Sequence, residues 1–321
     1  MTRVKKITFI GTGSSFHAAL WAHWLCQLSG TKEIASQALT VWDFLAAGAC
    51  AAPGRDEFTV VISHRGNRGL TARALKTLSS SKRILLCAQS SPAGKHPFVY
   101  TSPPELSNAH TMSLTAAMAA SSEVVAAVLP EKSRIKLRSQ RKIAAQIYRK
   151  LADLSPHATQ LEQLARKGRA LFFVGGGPFY AIALELALKA KEMAHVPAHA
   201  LGLEESLHGP ITAVEKNDVV VLLGPSEPLK GGSHLKFLFS DRADRCASAA
   251  KAIGAQLIRP DYRQAFAEKP TKPIDMAWQS LLLLYWGQQF CLELSKRKGA
   301  HPDLNRRDNP LYEEARKRIE L

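Results

Sequence analysis

Short continuous runs of apolar, largely β-branched residues punctuate the chain, each followed by a polar or glycine-rich turn and then a helical pattern. Lys6 to Ile10 is such a run; it stops at Gly11-Thr12-Gly13-Ser14-Ser15 and passes into the helical stretch FHAALWAHWLCQL. The arrangement recurs downstream as ALFFV (Ala170 to Val174), then GGGP, then FYAIALELALKAKEMA. A strand, a glycine turn and a helix together aim backbone N–H groups and a helix N-terminus at one point, where an anion or polar substrate can bind. Further strands are predicted at Phe58 to Ser63, Arg83 to Ala88, Pro97 to Thr101, Asp218 to Gly224 and Ala255 to Pro260. Unbroken apolar strands alternating with helices predict parallel sheets covered on both faces. The reading is therefore α/β, with two tandem three-layer αβα domains over residues 1–129 and 161–294. A basic helical linker over 130–160 joins them, a tail covers 295–321, and ligands are expected at the carboxyl ends of the strands.

Composition narrows the partners. The 321 residues are 46% hydrophobic and 22% charged, enough for two substantial cores rather than a disordered chain. Lys plus Arg numbers 43 against 27 for Asp plus Glu, a formal charge of +16. Partners are thus more readily anionic: phosphorylated metabolites, nucleic acid, or none beyond a basic surface. The segment EKSRIKLRSQRKIAAQIYRKL (Glu131 to Leu151) concentrates this charge but has no interleaved aromatics and no recognition motif. A solvated linker helix accounts for it better than a nucleic-acid surface, so no nucleic-acid partner is expected.

Five cysteines (Cys26, Cys50, Cys87, Cys246, Cys291) lack CxxC or histidine spacing, so no metal is expected. Cys26, Cys87 and Cys291 sit among apolar neighbours and read as small buried hydrophobes. The start, MTRVKKITFIGTGSS, holds no apolar stretch long enough for a signal peptide or membrane span. A reduced, cytoplasmic protein without membrane association is the expectation.

The chemistry concentrates in ELALKAKEMAHVPAHALGLEESLHGP (Glu185 to Pro210). At about 100° per residue, Glu185, Lys189 and Glu192 share one narrow arc of a helix, while Leu184, Leu186, Ala187, Leu188, Ala190 and Met193 cover much of the rest. Glu and Lys at i,i+4 most often form a solvated pair. Only Lys191 interrupts the apolar remainder here, which favours a polar stripe facing a cleft, because buried charge is costly unless paired or used.

That segment resembles the sugar isomerase (SIS) domain family, in particular the isomerase half of glucosamine-6-phosphate synthase. The family helix reads E-x-x-x-K-x-x-E and its following loop E-x-x-H-G-P, and both are intact here. The resemblance implies tandem flavodoxin-like SIS domains along nearly the whole chain, and a phosphosugar substrate with no cofactor. It implies that Glu192 is the general base moving a proton between C1 and C2 of a sugar phosphate through an enediol- or enamine-like intermediate. Glu185 and Lys189 would hold that base and stabilise developing charge, with a Lys189 Schiff base as the chemical alternative. Glu205 would belong to the substrate site. His208 would open the cyclic sugar in the site of a neighbouring subunit, making a homodimer with a shared active site part of the mechanism.

By the same resemblance the first domain supplies the phosphate site, from the Gly/Ser turn with Ser14 and Ser15 and from a loop of pattern S-x-S-G-x-T. This chain departs from the loop pattern: SHRGNRG (Ser63 to Gly69) puts Arg65 for the second serine and Arg68 for the threonine, beside Ser63 and His64. Arginine grips phosphate bidentately, so these donors either retain the phosphate, take a larger anionic group, or are two solvated loop residues. Asn108 and His110 stand at pocket positions that are smaller or hydroxylic in the synthase. Arg306 and Arg307 are candidates for the synthase's closing lysine in the tail. The chain begins directly with the first SIS strand, so a glutamine-dependent synthase is not expected. The activities left are aldose–ketose isomerisation or aminosugar-phosphate deamination, with fructosamine-phosphate cleavage or a non-catalytic sugar-phosphate sensor as alternatives.

Overall fold

The computed structural model describes residues 4–29, 33–66, 68–88, 96–150, 169–225, 237–260 and 273–319, without the side chains of 51, 140, 143–150, 237 and 273. The chain divides into two compact units, Met1–Arg138 with Arg306–Leu321, and Ser139–Asn305.

The first unit is built on a five-stranded parallel sheet. Its strands are β1 (Lys6–Gly11), β2 (Ala35–Thr40), β3 (Glu57–Ile62), β4 (Arg83–Cys87) and β5 (Phe98–Tyr100), in spatial order β2-β1-β3-β4-β5. Helices α1 (Ser14–Leu28), α2 (Val41–Ala47), α3 (Gly69–Thr77) and α4 (Thr111–Val128) connect and cover them. Ile10, Val61, Leu85 and Cys87 pack on one face against Val41, Phe44, Ala74 and Leu75 of α2 and α3. Helix α4 has the length and apolarity to cross a membrane, alone among the described residues. It is a core helix: Leu114, Met118, Ser121, Ser122, Val125 and Ala126 are buried, and it packs against α1.

Helix α5 (Glu131–Lys150), the basic segment, runs through the boundary between the units. The second unit repeats the plan with β6 (Leu171–Gly175), α6 (Pro178–Ala194), β7 (Ala198–Gly202), β8 (Val219–Leu223), α7 (Arg242–Ile253), β9 (Gln256–Ile258) and α8 (Pro273–Arg297). Its parallel sheet has the order β7-β6-β8-β9, the same reversal after the first strand. Phe172, Val174, Val220 and Leu222 pack on Cys246, Ala247 and Ala250 of α7, while α8 lies on α6. Helix α9 (Pro310–Lys317) belongs to the first unit.

The predicted repeat holds at the level of backbone angles. Gly13 and Gly177 precede α1 and α6 with φ,ψ of 56°,−130° and 58°,−130°, conformations that side-chain-bearing residues rarely adopt. Gly11 and Gly175 end the preceding strands where a Cβ would strike the backbone of the residue four further on, Ser15 or Phe179. Aligned on these glycines, Glu185, Lys189 and Glu192 of α6 correspond to Trp21, Leu25 and Leu28 of α1. Only the second copy carries charge at those positions.

Two strands lie outside the sequence expectation, β2 (ASQALT) and β7 (AHALG). Both are the edge strand beside the first strand of their sheet, and most of their residues are half-exposed, so no apolar run announces them.

Candidate active site

Helix α6 forms because its residues are mostly strong helix formers, with Pro178 at the first turn and His195 ending it in the left-handed conformation at φ 55°. Its buried residues lie on most sides, as the apolar pattern predicts, and they include two charged groups. Side-chain exposure is 0% for Glu185, 1% for Lys189 and 20% for Glu192. The Lys189 ammonium sits 3.1 Å from Glu185 Oε1 and 2.7 Å from Glu192 Oε2, so one buried cation is shared by two carboxylates. Burial alone would lower the Lys189 pKa; the two flanking glutamates outweigh it and raise it above the ordinary lysine value. The stripe is thus not a solvated pair, and only Glu192 reaches accessible surface.

Helix α8 seals the inner side of this trio. Gly287 lets it approach so closely that a Cβ there would strike the Leu186 side chain. Cys291 Sγ lies 3.9 Å from the Leu186 carbonyl. Burial pushes the Cys291 thiol up to about 12, with Lys189 partly offsetting and Glu185 adding to the shift. Cys291 is therefore the small hydrophobe expected, as are the buried Cys26 and Cys87; Cys246 is buried too, and Cys50 is exposed.

Helix α6 runs back from the carboxyl end of β6 to the start of β7, so Glu192, in its last turn, stands on the amino-end side of the sheet. That corrects the expectation, for this trio, that ligand groups gather at the strands' carboxyl ends. His208 follows β7 and stands on the opposite side, a strand length away, roughly 15 Å at about 3.3 Å per residue. Within one chain the unit does not bring His208 to Glu192. The imidazole is 71% exposed, and its Nε2 lies 3.1 Å from Glu204 Oε1. Arg242 Nε holds the other oxygen of Glu204 at 3.0 Å. Glu205 turns away from this cluster: its carboxylate lies against Gly202, in space that a Cβ would fill.

In the first unit the residues expected to hold phosphate flank the point where strand order reverses, between β1 and β3. Ser14 and Ser15 open α1, with Ser15 N–H donating to the Thr12 carbonyl at 3.1 Å. Ser63 Oγ accepts from Gly66 N–H at 3.0 Å and so closes the loop after β3. Gly66, at φ 70°, packs where a Cβ would meet Leu85 Cδ2 at 2.8 Å. Arg65 and Arg68 are both exposed, and Arg68 is the N-cap residue of α3. The His64 ring packs against that of His110, with centroids 4.3 Å apart and the rings tilted by 37°. Burial lowers the His64 pKa, opposed by Glu105 and aided by Arg65, which favours a neutral ring. His110 itself precedes α4 at φ 50°, next to Asn108 and Ala109 on the approach to that helix.

Glu105 was not anticipated. Its carboxylate accepts from Thr111, Met112 and Ser113 N–H at 2.8, 3.0 and 2.8 Å and from the Thr111 and Ser113 hydroxyls. Burial would raise its pKa, but these bonds outweigh it and leave it lowered. The N-terminus of α4 is thereby occupied by the protein's own anion. In the tail, Arg306 stacks on Tyr312 at 4.4 Å and donates to its hydroxyl, whereas Arg307 is exposed.

No group of three or more metal-ligating side chains occurs among the described residues. Residues 163–230 match the family model for the SIS domain. The chain carries a SIS domain. It is 25% identical over 325 residues to a glutamine–fructose-6-phosphate aminotransferase (isomerizing) of Mycolicibacterium smegmatis, covering 94% of this chain and 50% of that protein. The chain spans half or less of the length of the curated relatives it matches first. Among solved structures, the C-terminal domain of glucosamine-fructose-6-phosphate aminotransferase from Francisella tularensis superposes with a TM-score of 0.70 at 19% identity, covering 94% of this chain and 86% of that one. A glucosamine-6-phosphate deaminase from Thermotoga maritima gives 0.63 at 16% identity, with 95% and 90% covered. These likenesses establish a common fold: the SIS domain lies in the unit that holds Glu185, Lys189, Glu192 and His208.

Proposed function

We propose that this SIS-domain protein catalyses proton transfer between C1 and C2 of a phosphorylated hexose or aminohexose, with Glu192 as the base. The observation that carries the reading is the shared buried ammonium. Three ionised groups on the inner arc of a helix are costly to bury, and a core would be as stable with apolar residues there. The arrangement makes chemical sense if Glu192, the one accessible member, must be held at a fixed point from a rigid backbone. Lys189, kept protonated between two carboxylates, is a poor Schiff-base nucleophile and a suitable charge for a developing enediolate. Glu185 fixes Lys189 from the sealed side.

The reaction is balanced without an external oxidant. The base removes the proton from C2 of an open-chain aldose, and the electron pair forms the C1–C2 double bond as the C1 carbonyl becomes an enediolate oxygen that takes up a proton. The first proton then returns to C1 while the C2 hydroxyl gives up its own, leaving the ketose. With an amine at C2, the same shift yields an imine that water converts to ketose phosphate and ammonia. The isomerizing aminotransferases among its relatives, and a deaminase that shares its fold, support this class. The opposite placement of Glu192 and His208 across one sheet supports the expectation that His208 serves a second copy of the chain. In the first unit, Ser14, Ser15, Arg65 and Arg68 offer donors for a phosphate.

The test is incubation of the purified protein with glucosamine 6-phosphate, galactosamine 6-phosphate, or fructose 6-phosphate plus ammonium, following sugar products and ammonia together. Ketose phosphate with ammonia identifies a deaminase, and isomerised sugar without ammonia a plain isomerase. A raised melting temperature with no turnover of any of these contradicts the catalytic reading and favours a sensor.

A further inference from the structure

If His208 opens a sugar ring, something must hold an imidazole that stands 71% exposed on a short turn. We propose that Glu204, clamped by Arg242, orients His208 so that Nδ1 is the ring nitrogen that works. The inference rests on the functional reading above and adds a positioning residue to it. Glu204 lies immediately before the 3-10 turn Glu205–Leu207, and its two oxygens are divided between His208 Nε2 at 3.1 Å and Arg242 Nε at 3.0 Å. Arg242 opens α7 beside Asp241, whose carboxylate also receives Arg245 Nε at 2.9 Å. Ser206 donates to the Leu203 carbonyl at 2.8 Å and approaches Cys246 Sγ at 3.8 Å, so the turn is tied to the same helix at a second place.

The chemistry follows from which groups can donate. A carboxylate only accepts, so Nε2 must carry the proton in this contact, and a neutral His208 then has its lone pair on Nδ1. Nδ1 has no partner among the described residues. In ring opening, the C1–O5 bond breaks as the O1–H electron pair becomes the C1 carbonyl bond. Nδ1 takes the proton from O1 and delivers it to O5, so a single oriented nitrogen serves both ends and the histidine returns to its starting state. Arg242 prevents Glu204 from competing for that proton by occupying its other oxygen. Glu205, which carries the motif glutamate, cannot orient the ring while its carboxylate is folded back on Gly202.

Ring opening can be read apart from C1/C2 proton transfer. The Glu192→Gln protein lacks the base but keeps the histidine, so it should still accelerate exchange between the α and β anomers of glucosamine 6-phosphate, measured by saturation-transfer NMR. Adding Glu204→Gln should cut that acceleration about tenfold or more, part of the roughly 10²-fold or greater effect of a positioned acid–base group. The ligand-induced rise in melting temperature should persist in both proteins, which separates orientation from binding and folding. Equal exchange rates with and without Glu204→Gln, or no acceleration by the Glu192→Gln protein, would overturn the proposal. Failure of the functional reading is distinct: there, Glu192→Gln would leave isomerisation or deamination itself intact.

Discussion

Lys189 Nζ lies 2.7 Å from Glu192 Oε2, the ammonium sealed from solvent and the carboxylate one-fifth exposed. The cation is therefore part of the core and the anion part of the surface, joined by one turn of helix. A change at Lys189 or Glu185 therefore falls first on the stability of the core.

Lys189→Met removes the cation and leaves Glu185 buried without it. Breaking a buried pair from one side typically costs about 3–5 kcal/mol, whereas replacing both partners is close to neutral. Urea denaturation should show a large loss for Lys189→Met and a substantially smaller one for Glu185→Leu with Lys189→Met together. Equal losses would mean that Glu185 has another compensating partner.

Glu105 predicts an acid-sensitive fold in the first unit. Its folded pKa is lowered, so the stability it contributes is present above the ordinary carboxylate range and is lost as pH falls through the folded value. Glu105→Gln should cost about 1–2 kcal/mol near neutrality, the range of a lost helix cap. The difference from wild type should shrink progressively below about pH 4.5, the ordinary value for the group. A deficit that does not change with pH would assign the effect to packing instead.

Much of this was legible in the order of apolar runs. β1, β3, β4, β6 and β8 coincide with predicted strands to within a residue or two, because central parallel strands are buried on both faces and read as unbroken apolar stretches; the edge strands β5 (FVY) and β9 (QLI) coincide too, because they are short but largely apolar. β2 and β7 were not, because an edge strand made of Ala, Ser, Gln, His and Thr lacks that signal. The charged stripe of α6 stood out since charges are rare in an otherwise apolar helix. Glu204 did not, because its meaning comes from Arg242, on a helix far along the chain. Glu105 caps a helix that begins six residues beyond it, outside the spacing that marks a local capping box.

Arg65→Ala tests the altered loop of the first unit. Loss of one charge-assisted contact, about 1.5 kcal/mol, should raise KM for a phosphorylated sugar roughly tenfold with a smaller change in kcat. Steady-state kinetics with an unchanged KM would return Arg65 to a solvated loop residue.

Thiol accessibility tests the packing of α8 on α6. Cys50 is exposed while Cys26, Cys87, Cys246 and Cys291 are buried, and the Cys291 thiol is pushed up to about 12. An aromatic disulfide reagent at neutral pH should titrate one thiol quickly in the native protein and all five only after unfolding. Rapid reaction at Cys291, located by peptide mapping, would show that α8 does not seal the trio.

The most direct measurement is turnover of glucosamine 6-phosphate, or of whichever hexose 6-phosphate the wild-type protein converts, by Glu192→Gln alongside its binding of the same sugar. The account predicts a kcat lower by roughly 10³-fold with binding and melting temperature nearly unchanged, since only the proton-transfer step is lost. A Glu192→Gln protein that turns over at the wild-type rate would contradict the assignment of the base.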